Sequence, residues 1–366
     1  MKRCAAVIIA IAFIFSFFRF SAMASEGAFV IINGVTLAVL EQDNMNRTLP
    51  MASTTKIMTA LVVLENVSLG EIVTVSADSV GIEGSSLYIK AGESYTVEEL
   101  LYGLMLRSAN DCADALARYV GGVKKMDFIA MMNQRALEMG LKNTSFKNPS
   151  GLPEKGHYTT ALELAKILCV AMENEEFQKI TATKSGVIKE QTVTNHNKLL
   201  QSVEGCIGGK TGYTKEAGRC LATVVQREEG RLVCVTLGRS NDWQLHSEAY
   251  ERWFEKERRV ELLAAEDFVA EVPCASGTAQ ATVMKDVSVT LFGNEELPVI
   301  RLMVPSVLYG NKPKGSVIGR VEFVTKGVVF GDLPLILCDD LEEKIDKPSI
   351  LLRIFRFFRR IFLKKS

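Results

Sequence analysis

Two spacings of apolar residues run through the first part of the chain, and each predicts a different element. After Pro50, apolar side chains recur every three or four residues, as on one face of a helix. They are Ile57, Met58, Leu61 and Leu64. Apolar runs at 100–106 and 160–170 favour two further helices. The pattern therefore predicts several amphipathic helices in this region.

Other runs are rich in β-branched residues and favour strands. Residues 28–32 and 35–41 predict a hairpin with Asn33-Gly34 as its turn. Residues 220–226 and 232–237 predict a second pair of strands, separated by an acidic, glycine-containing turn. Helices and strands thus share the first part of the chain.

The stretch 258–346 contains short β-rich runs, such as 287–291 and 321–324, with turn-forming residues between them. This pattern predicts a small β-sandwich. We find no catalytic spacing of residues there, so a role in spacing or partner contact is expected.

Residues 1–24 have the pattern of a secretory signal peptide. Two basic residues precede an apolar run at 4–18, and Ala22-Met23-Ala24 offers a cleavage site before Ser25. The alternative is an N-terminal membrane anchor, although Arg19 interrupts a run already short for crossing a bilayer. We expect an exported protein.

The last segment, 347–366, is basic on one side and aromatic on most of the other when drawn as a helix. Its basic sector contains Arg353, Arg356, Arg360 and Lys364. Six basic and no acidic residues follow Ser349, whereas the whole chain has 43 of each sign, so the remainder of the mature chain is acidic. This predicts an amphipathic helix on an anionic membrane surface and no binding of nucleic acid. Packing on the protein itself or on a partner is the alternative.

Length and cysteine content add two limits. A chain of 366 residues with 48% hydrophobic content can bury one large core and has room for a second. Seven cysteines remain after the signal peptide, without the regular spacing of a disulfide scaffold. Only Cys206 and Cys220 are placed closely enough around a motif to be worth testing for a bridge.

Three short motifs in a fixed order carry the chemistry. They are Ser53-Thr54-Thr55-Lys56, Ser108-Ala109-Asn110 and Lys210-Thr211-Gly212. On a helix, Ser53 and Lys56 share a face, so the lysine can take the hydroxyl proton. A loop between two helical patterns can direct Ser108 and Asn110 into a cleft. Lys210 is expected on an edge strand, with the glycines beside it allowing a substrate backbone to approach. Together the motifs match the signature of penicillin-binding proteins and class A β-lactamases.

The stretch from Ala28 to Glu257 resembles the D-alanyl-D-alanine carboxypeptidases, the low-molecular-mass penicillin-binding proteins of bacterial cell walls. The resemblance extends to residues 148–152, 156–161 and 197–200. It implies an α/β (α+β) fold: a β-lactamase/transpeptidase-like catalytic domain at 25–257, with an antiparallel sheet flanked by helices. A small all-β sandwich (258–346) and the C-terminal amphipathic helix (347–366) would follow. Neither a cofactor nor a metal ion is expected.

The resemblance also implies catalytic roles. Ser53 would attack the carbonyl between the two terminal D-alanines of a peptidoglycan stem peptide, and Lys56 would be its base. Lys210 would be the second cation that lowers the pKa of Lys56. Ser108 would relay a proton to the departing amine, while Asn110 would hold Lys56 and the substrate amide.

Substrate binding would involve the third motif and its neighbours. Lys210 and Thr211 would bind the terminal carboxylate. The strand would continue through Gly212 to Tyr213, whose backbone N–H would complete the oxyanion hole with that of Ser53. Relatives place a further arginine several residues after the strand that ends here at Leu237-Gly238, and whether Arg239 substitutes is open.

Rival chemistries fit less well. Residues 205–211 resemble a nucleotide-binding P-loop, but the glycine required at position 204 is Glu204, and a strand is expected after the motif. No G-x-S-x-G elbow accompanies the three histidines, which we interpret as structural. These are His157, His196 and His246. No C-x-x-C or H-E-x-x-H pattern suggests a metal.

The expected function is a serine D-alanyl-D-alanine carboxypeptidase that is acylated by β-lactam antibiotics and lies at the outer face of the cytoplasmic membrane. The alternatives are a non-catalytic penicillin-binding or wall-organising protein and a D,D-endopeptidase. A β-lactamase is less favoured because no E-x-x-L-N pattern lies between Asn110 and Lys210. Glu154 and Glu163 are interpreted as solvated charges.

Overall fold

The computed structural model describes residues 27–265, 269–275 and 277–342. This part of the chain divides into two compact units: residues 27–258 with Leu291–Glu295, and residues 259–290 with 296–342. The predicted signal peptide (1–24) and C-terminal helix (347–366) lie outside the described residues. Within the described ranges, no helix has the length and apolar character needed to cross a membrane.

A five-stranded antiparallel sheet forms the centre of the first unit. The strands of this unit are β1 (Ala28–Asn33), β2 (Val39–Asp43), β3 (Ile72–Thr74), β4 (Ser94–Thr96), β5 (Ser185–Ile188), β6 (Gln191–Thr194), β7 (Cys206–Thr214), β8 (Gly218–Arg227) and β9 (Gly230–Leu237). The sheet order is β2-β1-β9-β8-β7, while β3 pairs with β4 and β5 with β6. The predicted strands at 220–226 and 232–237 are confirmed as parts of β8 and β9.

Helices cover both faces of this sheet. They are α1 (Lys56–Asn66), α2 (Val97–Leu106), α3 (Asn110–Lys124), α4 (Phe128–Glu138), α5 (Ala161–Ala171), α6 (Glu175–Ala182), α7 (Leu199–Ser202) and α8 (Asp242–Phe254). The larger core lies under α1 to α6, and a smaller core lies under α8. Strand β1 feeds both, because Val30 points into the first core and Ile31 into the second. This explains why its apolar run is continuous.

The N-terminal hairpin is confirmed, but its turn is longer than predicted. Strand β2 begins at Val39 and not at Val35. The Asn33 side-chain oxygen accepts hydrogen bonds from the backbone N–H groups of Val35 and Thr36, which holds these residues in the turn. A side chain that caps its own turn in this way competes with strand pairing.

Polar side chains cap the starts of two helices of the first unit. Helix α2 begins with a capping box between Thr96 and Glu99, and Thr160 caps α5. The interpretation of Glu163 as a solvated charge is wrong. It is 8% exposed, and its carboxylate accepts hydrogen bonds from the backbone of Lys142 and Asn143. Glu163 therefore serves to hold a loop.

The second unit is built from strands. Those described after α8 are β10 (Glu257–Leu263), β11 (Ala270–Cys274), β12 (Gly277–Thr282), β13 (Val287–Phe292), β14 (Val299–Met303), β15 (Val317–Thr325) and β16 (Val328–Leu337). Five of them form a sheet in the order β11-β12-β16-β15-β14, and β10 pairs with β13. The expectation of a mixed α/β domain followed by an all-β domain is thus confirmed at this level.

Candidate active site

Ser53 lies in a single 3₁₀ turn, Ala52–Thr55, which leads directly into α1. The prediction that Ser53 opens the helix is corrected, because the α-helix begins at Lys56. Residues three apart in a 3₁₀ turn eclipse one another, so Ser53 and Lys56 still share a face. Ala52 enters this turn with φ of +47°, in the left-handed region. The nucleophile candidate therefore rests on a strained backbone.

Lys56 is completely buried, and its side-chain nitrogen lies within hydrogen-bond distance of three oxygen atoms. Nζ lies 3.0 Å from Ser53 Oγ, 2.7 Å from Asn110 Oδ1 and 2.6 Å from the carbonyl oxygen of Ser150. Burial lowers the pKa of Lys56 well below its ordinary value, and the charge of Lys210 lowers it further. A lysine of this kind can act as a base near neutral pH.

The second motif begins in the loop between α2 and α3 and ends on the helix. Ser108 is in the loop with φ of +63°, and Asn110 is the first residue of α3. Asn110 Oδ1 accepts from Lys56, while its Nδ2 donates to the carbonyl oxygen of Glu83 at 2.5 Å. Because both ends of this amide are bound, its orientation is fixed. Ser108 and Asn110 are each 5% exposed.

Lys210 lies on β7, which is an edge strand of the sheet as predicted. It is 1% exposed, and burial lowers its pKa to about 7. Its Nζ donates to the carbonyl oxygen of Thr211 at 2.9 Å. The third motif therefore brings a buried amine beside the first motif, since Lys210 is near enough to depress the pKa of Lys56.

The glycines of β7 make close contacts within the protein itself. A Cβ atom would lie 2.3 Å from Thr181 Oγ1 at Gly208 and 2.1 Å from the Ala222 carbonyl oxygen at Gly209. These two glycines therefore allow close packing inside the protein, and their predicted role in admitting a substrate backbone stays a prediction. At Gly212 a Cβ atom would lie 2.9 Å from the backbone nitrogen of Ser53. Gly212 thus lets β7 approach the 3₁₀ turn.

A cleft of about 530 Å³ opens beside these groups. Residues of all three motifs line it, together with side chains that the motifs do not include. The lining residues are Ser53, Ser85, Ser108, His196, Thr211, Gly212, Tyr213, Arg219, Cys220, Asp242 and Trp243. Tyr213 is 68% exposed at its rim. One cleft therefore brings together the nucleophile candidate, the predicted relay residue and the predicted carboxylate site.

Arg239, the arginine left open as a carboxylate anchor, points to another part of the sheet. Its guanidinium pairs with Asp43 on β2 and contacts the carbonyl oxygen of Gly27. Strand β2 is at the opposite edge of the sheet from β7. Arg239 is not among the residues that line the cleft.

Two of the three histidines are structural, as predicted. His246 is completely buried between Thr223 and Thr236, and burial lowers its pKa to about 3. His157 is 6% exposed, and burial lowers its pKa to about 4. His196 lines the cleft, and its interpretation as a structural residue stays a prediction.

His157 supports the turn that carries Ser53. Its Nδ1 accepts from the Lys147 N–H, so Nε2 carries the proton and donates to Thr55 Oγ1 at 2.8 Å. The Thr55 hydroxyl in turn donates to the carbonyl oxygen of Ala52 at 2.8 Å. A neutral histidine below the turn thus fixes the backbone just before Ser53.

Other parts of the site carry little sequence signal. The carbonyl groups of Ser150 and Glu83 act through backbone atoms, which any residue type supplies.

Cys206 and Cys220, the pair considered for a disulfide bridge, are both free thiols. In the described ranges, no group of three or more histidine, cysteine, aspartate or glutamate side chains is arranged to hold a metal ion.

Comparison with known proteins shows the family of this chain. A model of the Peptidase S11 family, described as D-alanyl-D-alanine carboxypeptidase, matches residues 20–241. The chain is 30% identical over 344 residues to D-alanyl-D-alanine carboxypeptidase DacF of Bacillus subtilis, covering 89% of this chain and 88% of that protein. It is also 30% identical over 346 residues to D-alanyl-D-alanine carboxypeptidase DacC of Escherichia coli, covering 86% and 84%.

A solved structure shows the same fold. Penicillin binding protein 5 from Haemophilus influenzae superposes with a TM-score of 0.68 at 24% identity, covering 86% of this chain and 97% of that one. The family match and the two relatives show that the chain belongs to the D-alanyl-D-alanine carboxypeptidase family, Peptidase S11. It is a serine D-alanyl-D-alanine carboxypeptidase, as the motifs predicted.

Proposed function

We propose that Ser53 is the nucleophile of this carboxypeptidase and Lys56 its general base. Ser53 Oγ would attack the carbonyl carbon between the two terminal D-alanines of a peptidoglycan stem peptide. Its proton would pass to Lys56 Nζ, and the bond to the terminal D-alanine would break to leave an acyl group on Oγ. Water would then release the shortened peptide.

The observation that carries this proposal is the set of three contacts at Lys56 Nζ. Two neighbours, Asn110 Oδ1 and the Ser150 carbonyl oxygen, can only accept hydrogen bonds. A neutral amine has two N–H bonds and one lone pair. The two acceptors take the N–H bonds, so the lone pair is left for Ser53 Oγ at 3.0 Å.

Ser108 is assigned the transfer of the proton from Lys56 to the departing amine. It lines the cleft beside Ser53, on the loop that precedes Asn110. Asn110 is assigned the orientation of Lys56 and, through the second N–H of its amide, contact with the substrate carbonyl. Lys210 keeps the pKa of Lys56 low by its charge.

The oxyanion hole is assigned to the backbone N–H groups of Ser53 and Tyr213. The close approach of Gly212 to the Ser53 nitrogen brings β7 beside the 3₁₀ turn. Two backbone N–H groups from neighbouring segments can then stabilise the negative charge that develops on the substrate oxygen. Thr211, which lines the cleft, would bind the terminal carboxylate together with Lys210.

The substrates proposed are stem peptides that end in D-alanyl-D-alanine, and β-lactam antibiotics would acylate the same serine. Family membership supports both. A β-lactamase would need a carboxylate to activate water, and Glu163 is engaged with the loop at Lys142 and Asn143. An acyl-enzyme formed with penicillin is therefore expected to be long-lived. Endopeptidase action on cross-links, or a non-catalytic role in wall organisation, would use this same cleft.

We also propose that the enzyme acts at the outer face of the cytoplasmic membrane. The basic and aromatic pattern of 347–366 supports a peripheral helix on anionic lipid. The all-β unit, expected to pack as a small sandwich, would serve in spacing or partner contact.

The test is release of D-alanine from diacetyl-L-lysyl-D-alanyl-D-alanine by the purified protein, followed by mass spectrometry. In parallel, labelled penicillin is mapped on the protein after proteolysis. We expect the label on Ser53, its loss in Ser53→Ala, and its retention on Ser53 in Ser108→Ala. A label on Ser108, or D-alanine release by Ser53→Ala at the parental rate, would overturn the assignment.

A further inference from the structure

Arg219 lies on the cleft at a position that none of the three motifs marks. It is at the start of β8, directly opposite Tyr213 of β7. Directly paired residues of antiparallel strands point to the same face, and so do residues two apart along one strand. Arg219, Tyr213 and Thr211 therefore share a face. Thr211 is the diagonal cross-strand neighbour of Arg219, which puts it within roughly 7–8 Å and within reach of a long side chain.

The guanidinium of Arg219 is held in place by Asp242 and Trp243. Its Nε and Nη2 donate to Asp242 Oδ1 at 3.0 and 2.7 Å, and the group lies 5.6 Å from the centre of the Trp243 ring. Asp242 is 2% exposed, whereas the Arg219 side chain is 41% exposed. Among the described residues, no protein acceptor is recorded for Arg219 Nη1. A preorganised guanidinium edge thus faces the cleft.

No other arginine, and no lysine, is among the residues that line this cleft in the described part of the chain. Arg239 pairs with Asp43 near the far edge of the sheet. Lys210, which is also assigned to the carboxylate, is 1% exposed and is not among the lining residues, so Arg219 is the cation on the open side of the cleft. A guanidinium group has the planar geometry and the forked N–H donors that match a carboxylate.

We propose that Arg219, held by Asp242 and Trp243, joins Thr211 and Lys210 in binding the terminal carboxylate of the peptide substrate. Arg219 is then a specificity-determining residue, Asp242 a positioning residue, and the strict preference for a free C-terminus depends on both. This inference rests on the proposed function, in which Ser53 is acylated by a stem peptide.

The test compares two peptides that would give the same acyl-enzyme. One is diacetyl-L-lysyl-D-alanyl-D-alanine, and the other is the same peptide with a C-terminal carboxamide. Removing Arg219 alone would leave Asp242 buried without its partner, which destabilises a protein strongly. The main variant is therefore Arg219→Gln with Asp242→Asn, and Arg219→Lys is the second. Arg239→Gln is the matched control, and thermal unfolding checks the fold of each full-length protein.

We expect the double variant to lose on the order of 10- to 100-fold in kcat/KM on the free acid, chiefly through a higher KM, because a charge-assisted hydrogen bond is removed. Its kcat/KM on the carboxamide should stay within about twofold of the parent, since that peptide has no carboxylate to bind. Arg219→Lys should fall in between, because it keeps the charge but not the planar fork. Arg239→Gln should match the parent on both peptides.

Equal losses on both peptides, or no loss on the free acid, would overturn the assignment of Arg219. A parent protein that released product from neither peptide and took no penicillin label at Ser53 would overturn the proposed function, and this inference with it. The two failures are therefore distinguishable.

Discussion

Replacing Gly151 by alanine is expected to disable the nucleophile without a change at any motif residue. Gly151 has φ of +86° and follows Ser150, whose carbonyl oxygen accepts from Lys56 Nζ. A Cβ atom at this position would lie 1.9 Å from the carbonyl oxygen of Ala52 and 2.8 Å from Thr55 Oγ1. Both belong to the turn that carries Ser53.

The size of the effect follows from these distances. Real Cβ contacts are essentially never below 3.0 Å, so Ala52 and position 151 must separate by at least 1.1 Å, the shortfall from 1.9 Å. A misplacement of about 1 Å at a reacting group can cost roughly 10²-fold in rate. The overlap should also cost about 1–3 kcal/mol in unfolding free energy, as overpacking does. The positive φ adds roughly 1–2 kcal/mol for any residue with a Cβ.

Gly92→Ala is the matched control, because Gly92 has φ of +81° and an added Cβ would meet no atom within 4 Å. This control isolates the backbone cost. Urea unfolding gives the two free energies of unfolding, and stopped-flow acylation by a fluorescent penicillin gives the rates for the folded fraction. Gly151→Ala should be less stable than Gly92→Ala and about 10² slower than the parent.

The reasoning would be refuted if Gly151→Ala acylated within about threefold of the parent rate and unfolded at the same free energy as Gly92→Ala. That result would mean that the turn has room to move without disturbing Ser53.

Three other perturbations give independent checks. Lys56→Ala should slow acylation by roughly 10²–10⁴-fold with the fold intact, because the base is lost, while Lys142→Ala, which removes an exposed lysine side chain, should leave the stopped-flow rate as it is. The free energy of unfolding should fall between pH 7 and pH 4, because His157 and His246 have folded pKa values of about 4 and 3 and take up protons near pH 6.5 when unfolded. Urea titrations should show a loss of up to about 1.4 kcal/mol per pH unit for each histidine. An unchanged pH dependence of stability in His246→Gln would contradict this. Truncation before Ser349 should release active enzyme from anionic vesicles in flotation assays, and equal flotation of both forms would mean that the last segment is not an anchor.

The sequence predicted which residues lie at the candidate site better than it predicted how they are arranged. Lys56 and Asn110 are 54 residues apart, and their contact follows only from the packed helices. We expected Lys56 and Asn110 to lie together because the resemblance to the family implied it, whereas the spacing of the motifs alone does not. Within the first motif, the period of three was enough to place Ser53 beside Lys56, even though the turn proved to be 3₁₀.

The sequence did not predict which backbone atoms contribute to the site or in which register the strands pair. The Ser150 carbonyl oxygen acts through its position, which depends on the left-handed conformation of Gly151. Arg219 could have been found by pairing β8 against β7, but its register depends on where the short turn between them begins. Arg239 is close to the predicted position in sequence, and yet its side chain pairs with Asp43 on β2, a long-range contact that the sequence does not reveal.

Leu291–Glu295 belongs to the first unit, so this unit is formed by two separate segments of the sequence. Phe292 is fully buried in the core under α8 and meets Phe254 edge to face at 5.6 Å, and the Glu295 carboxylate accepts from Asn33. A fragment that stopped at residue 257 would lack both contacts and would expose an aromatic surface. A chimaera of two relatives that is joined after residue 257 would therefore disrupt this core. A replacement for the C-terminal part of the chain would have to supply an aromatic residue in place of Phe292 and a carboxylate in place of Glu295. Otherwise a cavity would remain in the core of the first unit.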